Sequence, residues 1–195
     1  IKGIAISGLY GGSGIPLDEN MKPIRPCMIW MDRRADDETK WVLDHIGEEK
    51  LLEITHNGAD PYYGYTKILW MKNHEPENWA KTKLFLPPND YVIYHLTGEI
   101  AIDYSSAGNI GGIFDMNTRT WSEELMEAMG IPMSMMPQKI VESTDIVGGM
   151  TKEAAEDLGL WEGLPVIASG IDCGAANIGL GVFESCLLYT SDAAD

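Results

Sequence analysis

Residues 165–182, PVIASGIDCGAANIGLGV, constrain this chain more than any other stretch. An apolar run ends at Ser169-Gly170 and gives way to small residues at helical spacing, so the segment reads as a buried strand, a tight turn and a helix. A buried strand needs neighbours in a sheet, and a helix that follows at once must pack on a sheet face. The expected class is therefore α/β or α+β around a mixed sheet. One carboxylate, Asp172, stands in the turn. Gly170 and Gly174 permit close backbone approach, Ala175 and Ala176 keep the helix entrance thin, and a helix N-terminus offers unpaired N–H groups to an anion. Two readings fit. Asp172 is a helix cap worth about 1 kcal/mol, or it is chemistry: a base for a hydroxyl attacking a phosphate, or a group holding Mg²⁺ through water.

The rest of the chain supplies sheet and helices in alternation. GIAIS reads as a strand entering the glycine-rich turn GLYGGSG. GIPLDENMKPIRPCMIWMD reads as a hairpin turning at Asp18 to Asn20, with its second strand ending at Trp30 to Asp32. Apolar residues at Ala35, Val42, Leu43 and Ile46 predict a helix stopped by Gly47, and EEKLLEI a shorter one before Asn57-Gly58. Lys67 to His74 is helical in pattern, and Pro76 opens another helix. KLFL is a strand stopped by two prolines, Asn89 is placed to cap DYVIYHLT, and Gly98 to end it. EIAIDYSSAGNIGGIFD alternates like a strand and then loosens. Thr120 and Glu123 suit a capping box, and Thr151 a cap for KEAAEDL. Met133, Met135 and Met136 are expected to fill an irregular part of the core rather than to form a partner surface.

At 195 residues one domain is the default. A formal net charge of −16 argues against nucleic-acid or anionic-membrane partners, and no apolar run reaches membrane-spanning length. Cys27, Cys173 and Cys186 lack paired spacing and read as reduced thiols of a cytoplasmic protein. The four histidines are never at zinc-ligand spacing. The chain opens inside a strand, which suggests missing upstream sequence. Residues 186–195, CLLYTSDAAD, share no pattern with what precedes them and can be encoded by a transposon-end sequencing adapter, so they are expected to be a non-native tail. The domain proper is then 1–185.

Two further stretches carry polar chemistry. In IWMDRR, residues 29–34, the face of Trp30 could pack on the C–H side of a sugar or polyol. Arg33 or Arg34 could bond its hydroxyls or pair with an acid. The alternative is a core tryptophan beside a solvated charge cluster. In ADPYYGYTKILWMKNHE, residues 59–75, Tyr62 and Tyr63 sit at a proline turn. They either line a polar pocket or serve the turn.

Taken together these segments resemble the FGGY family of carbohydrate kinases, from Ile1 to about Glu184. The resemblance lies in an ordered series: ISGLYGGSGIPLDENMKPIRPCMIWMDRR, DPYYGYTKILWMKNHEPENWAKTK, FLPPNDYVIYHLTGE, DYSSAGNIGGIFDMNTRTW, MPQKIVESTDIVGGMT and PVIASGIDCGAANIGLGV. It implies an actin-like, ribonuclease-H-like ATPase fold, here the partial N-terminal sugar-binding domain of a two-domain kinase. The family's first strands, with an Asp-x-Gly-Thr phosphate loop, and its C-terminal adenosine pocket are not in this sequence. The resemblance makes Asp172 the general base that deprotonates the sugar hydroxyl. It places Trp30 and Tyr62 at substrate-pocket positions of the glycerol-kinase branch. Tyr10 and Gly11 stand where that branch has Arg-Glu and xylulokinases have Met-His, which disfavours glycerol. Cys173 follows the base, where relatives often carry Asn or Gln. Gly64 departs from the Pro, Ser or Thr of the family signature, while Lys67, Ile68, Trp70, Met71 and His74 fit it.

The implied activity is transfer of the γ-phosphoryl group of ATP, with Mg²⁺, to a sugar or polyol hydroxyl. A ketopentose such as xylulose is the first expectation. The segment alone is expected to be inactive, because ATP would be held by a C-terminal domain. The resemblance also leaves room for a homodimer. Gluconate, ribulose, erythritol or glycerol kinases are the near alternatives. A non-catalytic sugar-binding module or an actin-like chaperone or filament ATPase is further off.

Overall fold

The computed structural model describes residues 1–8 and 12–182. In chain order the elements are β1 (Ile4–Ala5), β2 (Ile15–Leu17), α1 (Asp36–His45), α2 (Glu48–Thr55), α3 (Gly64–His74), α4 (Pro76–Lys81), β3 (Leu84–Leu86), α5 (Pro88–Thr97), β4 (Ile102–Asp103) and α6 (Tyr104–Ile110). They continue with β5 (Phe114–Asp115), β6 (Thr120–Trp121), α7 (Glu123–Met129), a 3₁₀ turn (Met133–Met135), β7 (Ile140–Val141), β8 (Ile146–Gly149), α8 (Lys152–Leu158), β9 (Pro165–Ile167) and α9 (Asp172–Gly179).

The sheet that positions the site has the order β1-β9-β8 and is mixed, as the strand–turn–helix segment required. β1 runs parallel to β9 with Ile4 opposite Val166, while β8 is antiparallel to β9. A further parallel bridge joins Gly8 to Ile171. That bridge carries the start of the glycine-rich loop to the residue before Asp172. Under this sheet Ile93, Leu96, Val147, Leu164, Val166 and Ala168 form one buried cluster. A larger cluster gathers α1, α2, α3, α6 and α7 around Val42, Tyr65, Ile68, Phe85, Ile110 and Trp121. Met136 is buried in it, and Met133 and Met135 pack against its edge. α9 is different: none of its residues is buried, and Ile178 is 64% exposed.

Local signals set most helix ends. Gly98, Gly130 and Gly159 take left-handed φ just after α5, α7 and α8, where only glycine does so without steric cost. The Thr151 hydroxyl accepts the Ala154 amide as the cap of α8. Several boundaries differ from the sequence expectation. The cap of α7 is Ser122, whose hydroxyl accepts the Leu125 amide; Thr120 is instead paired in β6. α5 begins at Pro88, so Asn89 lies inside the helix and is buried. The small-residue stretch after β4 is not loose. It is α6, started by Asp103, whose carboxylate accepts the amides of Ser105 and Ser106.

The hairpin at residues 15–32 is also corrected. Its turn is real: Asp18 Oδ1 accepts the amides of Asn20 and Lys22. The return arm is only a bridge, Leu17 to Pro23, since Pro23 and Pro26 have no N–H to extend a ladder. β2 pairs with β3 instead, Ile15 opposite Leu86.

Candidate functional site

The site is built where the glycine-rich loop, the 29–34 turn, the 60–64 turn and the start of α9 come together. Tyr10 and Gly11 lie outside the described residues, but the loop's flanks are seen. Gly8 bridges Ile171. Ser13 donates its amide to the Met28 carbonyl at 3.0 Å, just before Trp30. Gly12 lies against Gly64: a Cβ on Gly64 would stand 2.1 Å from the Gly12 carbonyl oxygen. That contact gives a physical reason for glycine at a position where the family signature has a side chain.

Asp172 is the first residue of α9, one place beyond the cap position, which Ile171 holds. Its carboxylate is exposed, and Oδ1 accepts the neighbouring Cys173 amide at 2.8 Å. Cys173 is the second residue of α9, so this bond satisfies one of the free amides of the first turn, although Asp172 does not occupy the cap position itself. Cys173 is half-buried beside it.

Tyr62 lies within electrostatic reach of this carboxylate. Burial pushes its phenol above the ordinary range; a hydrogen bond with the Asn109 side chain acts the other way, and the nearby Cys173 and Asp172 add to the rise. The ring meets Tyr63 edge-on, with centroids 5.3 Å apart. Its backbone is set by Asp60, whose Oδ1 accepts the Tyr62 amide at 2.7 Å. Arg33 grips the same carboxylate with two N–H groups, at 3.0 and 3.1 Å. Burial disfavours the charge on Asp60, yet the Arg33 and Tyr62 donors hold its pKa below the usual carboxylate range. Of the two roles read for Arg33, pairing with an acid is the one this arrangement contains. The pair is too exposed to add much stability, but it ties the 29–34 turn to the tyrosine turn.

Trp30 is 40% exposed, with no ring contact to Tyr62 among the described residues. The structure thus brings Asp172 and Cys173 within electrostatic reach of Tyr62, and ties Arg33 to the Tyr62 turn through Asp60.

Two residues escaped the sequence reading of the pocket. Asn109, near the end of α6, faces Tyr62 and has a buried Oδ1 with no hydrogen-bond partner. Lys67 lies fully buried under the tyrosine turn, donating Nζ to the carbonyls of Pro61 at 2.5 Å and Tyr62 at 2.6 Å. Burial lowers its pKa to about 8, against the pull of Asp32 and Asp60. A lysine within an apolar helix was the available signal for Lys67. Asn109 carried none.

Among the described residues no group of three or more His, Cys, Asp and Glu could hold a metal ion. A lone carboxylate such as that of Asp172 holds Mg²⁺ only in company with water and substrate phosphates. These residues therefore do not fit a metal site of their own, and no step below is drawn through one. Among the described residues no helix is long and apolar enough to cross a membrane.

Comparison with known proteins places this geometry. The family model for the N-terminal domain of the FGGY family of carbohydrate kinases matches residues 1–179. A protein named xylulose kinase from Lactococcus lactis subsp. lactis (strain IL1403) is 37% identical over 185 residues, which are 94% of this chain and 36% of that protein. Another so named, from Bacillus subtilis (strain 168), is 34% identical over 98% of this chain and 38% of its own length. The crystal structure of xylulose kinase from Rhodospirillum rubrum superposes with a TM-score of 0.88 at 28% identity, covering 94% of this chain and 37% of that one. The chain thus spans little more than a third of the relatives it matches. Its mixed sheet and flanking helices are those of the actin-like ATPase fold of these neighbours. With its described core matched almost throughout, the chain belongs to the FGGY family of carbohydrate kinases.

Proposed function

We propose that this chain is the sugar-binding, N-terminal part of an ATP-dependent kinase, and that its acceptor is a ketopentose, xylulose before others. The observation that carries the reading is Asp172 at the head of α9 beside the Gly8–Ile171 bridge, within electrostatic reach of Tyr62. The names of the relatives support the choice of xylulose.

In this reading the acceptor hydroxyl lies within hydrogen-bond reach of Asp172. Its oxygen forms the new bond to the γ-phosphorus as the bond to ADP breaks, and its proton passes to the Asp172 carboxylate. Tyr62 offers an O–H to a neighbouring sugar oxygen. Cys173 fills the space beside the base. Trp30 covers the apolar face of the sugar. Arg33 acts through Asp60 by fixing the tyrosine turn, with N–H groups to spare for a hydroxyl. Asp172 is exposed in this segment, so closure of a second domain over it would be what excludes water.

The test uses a protein in which this segment is joined to the rest of a kinase of the relatives' length. Asp172→Asn should lower kcat by roughly 10²–10⁴-fold, with the sugar KM little changed. Unchanged turnover would remove Asp172 from the role of base. A panel of xylulose, ribulose, gluconate, erythritol and glycerol with ATP decides the substrate, and a clear preference for gluconate would replace the ketopentose.

A further inference from the structure

We infer that Ser105, oriented by Asp103, is a positioning residue for Asp172: it holds the backbone turn from which the candidate base projects. The inference rests on the kinase reading above.

The argument starts from a cap that does more than capping needs. Asp103 is completely buried. Its Oδ1 accepts the Ser105 and Ser106 amides at 2.8 and 3.1 Å, which suffices to start α6. The same oxygen also accepts the Ser105 hydroxyl in a short bond and the Ser143 hydroxyl at 3.4 Å. A serine has one hydroxyl proton. With that proton given to Asp103, Ser105 Oγ can act toward any other partner only as an acceptor. The partner is the Ile171 amide, 3.2 Å away. Ile171 is the cap residue of α9, immediately before Asp172.

The turn is close-fitted to this hydroxyl. A Cβ on Gly170 would lie 3.0 Å from Ser105 Oγ and 3.2 Å from Ser143 Oγ. Ser169 adopts φ +63, a conformation that serine holds only where its surroundings insist. Its amide is bonded to the Ser143 carbonyl at 2.9 Å. Ser7 Oγ secures the Gly170 carbonyl at 3.0 Å. The pairing of β4 with β7, Asp103 opposite Val141, holds the Asp103 and Ser143 segments together. The turn is therefore held by the hydroxyls of Ser7 and Ser105 and by the Ser143 carbonyl, and Ser105 is the one whose bond ends next to Asp172. Proton transfer to a base depends on sub-ångström placement, and an error of about 1 Å costs about 10²-fold.

The test is made in the complete kinase with four readouts: kcat, sugar KM, Tm and coupling to Asp172. Ser105→Ala should lower kcat by roughly 10- to 100-fold while sugar KM stays within about threefold and the protein remains folded. Ser105→Thr, which keeps the hydroxyl, should recover much of the loss. In an Asp172→Asn background Ser105→Ala should cost little more, because both changes act on one group. If Ser105→Ala does not fold, Gly170→Ala decides instead. It keeps the serine but presses a methyl on it, and should lower kcat with sugar KM held. Full kcat in whichever variant folds, or equal losses with and without Asp172, would overturn the inference while leaving the kinase reading intact. Absence of sugar phosphorylation by the wild type would overturn both.

Discussion

Lys67 gives the sharpest test of the forces that shape the pocket. An ammonium group with 0% side-chain exposure sits beneath the tyrosine turn, bonded to the carbonyls of Pro61 and Tyr62. Burial lowers its pKa from 10.5 to about 8. In the unfolded chain the group keeps its proton up to about pH 10.5. Between those values the unfolded state binds more protons than the folded one, so stability must rise with pH. The gap of about 2.5 units corresponds to about 3 kcal/mol in all, and about 2 of these should be gained between about pH 7 and about pH 10. Other groups titrate there too; burial raises the Cys27 thiol, which acts in the opposite direction. The clean quantity is therefore a difference. Urea unfolding, followed by tryptophan fluorescence, would be measured for wild type and Lys67→Met at several pH values. The wild type should gain on the variant by about 2 kcal/mol as pH rises through this window. A difference that is flat, or that falls with pH, would mean that the ammonium is not held at a desolvation cost, and the account of the turn would fail.

Two further outcomes concern packing and capping. Gly64→Ala places a methyl 2.1 Å from the Gly12 carbonyl oxygen; despite alanine's better helix propensity it should destabilise by about 1–3 kcal/mol. A thermal scan showing a raised Tm would refute the close approach of the two turns. Ser122→Ala should cost about 1 kcal/mol by removing the cap of α7. Thr120→Ala, at an exposed strand position, should cost less by the same denaturation measurement. The reverse order would restore Thr120 as the cap.

Much of the fold was legible because its signals are local. The glycines after α5, α7 and α8 and the threonine before α8 act through their own backbone angles or through an amide three residues away. Pro87 and Pro88, at the junction of β3 and α5, work equally close at hand. Where the reading failed, the deciding partner was remote or the pattern lacked contrast. β2 turned from its expected hairpin partner to β3, nearly seventy residues on. α6 has Ser, Ser, Ala, Gly and Asn where a helix usually shows an apolar stripe, so only Asp103 marked its start.

The site divides along the same line. Sequence raised Asp172 and Tyr62 as candidates, each with a structural alternative beside it, and it was the ordered resemblance to a family that gave them expected site roles. Sequence also raised both roles of Arg33. What only tertiary structure decided was which groups act on them: Asp60 on Arg33, Asn109 on Tyr62, Lys67 under the turn and Ser105 behind Ile171. A hydrogen bond or a desolvated charge depends on atoms within a few ångströms in space, and those atoms lie up to 66 residues apart in the chain.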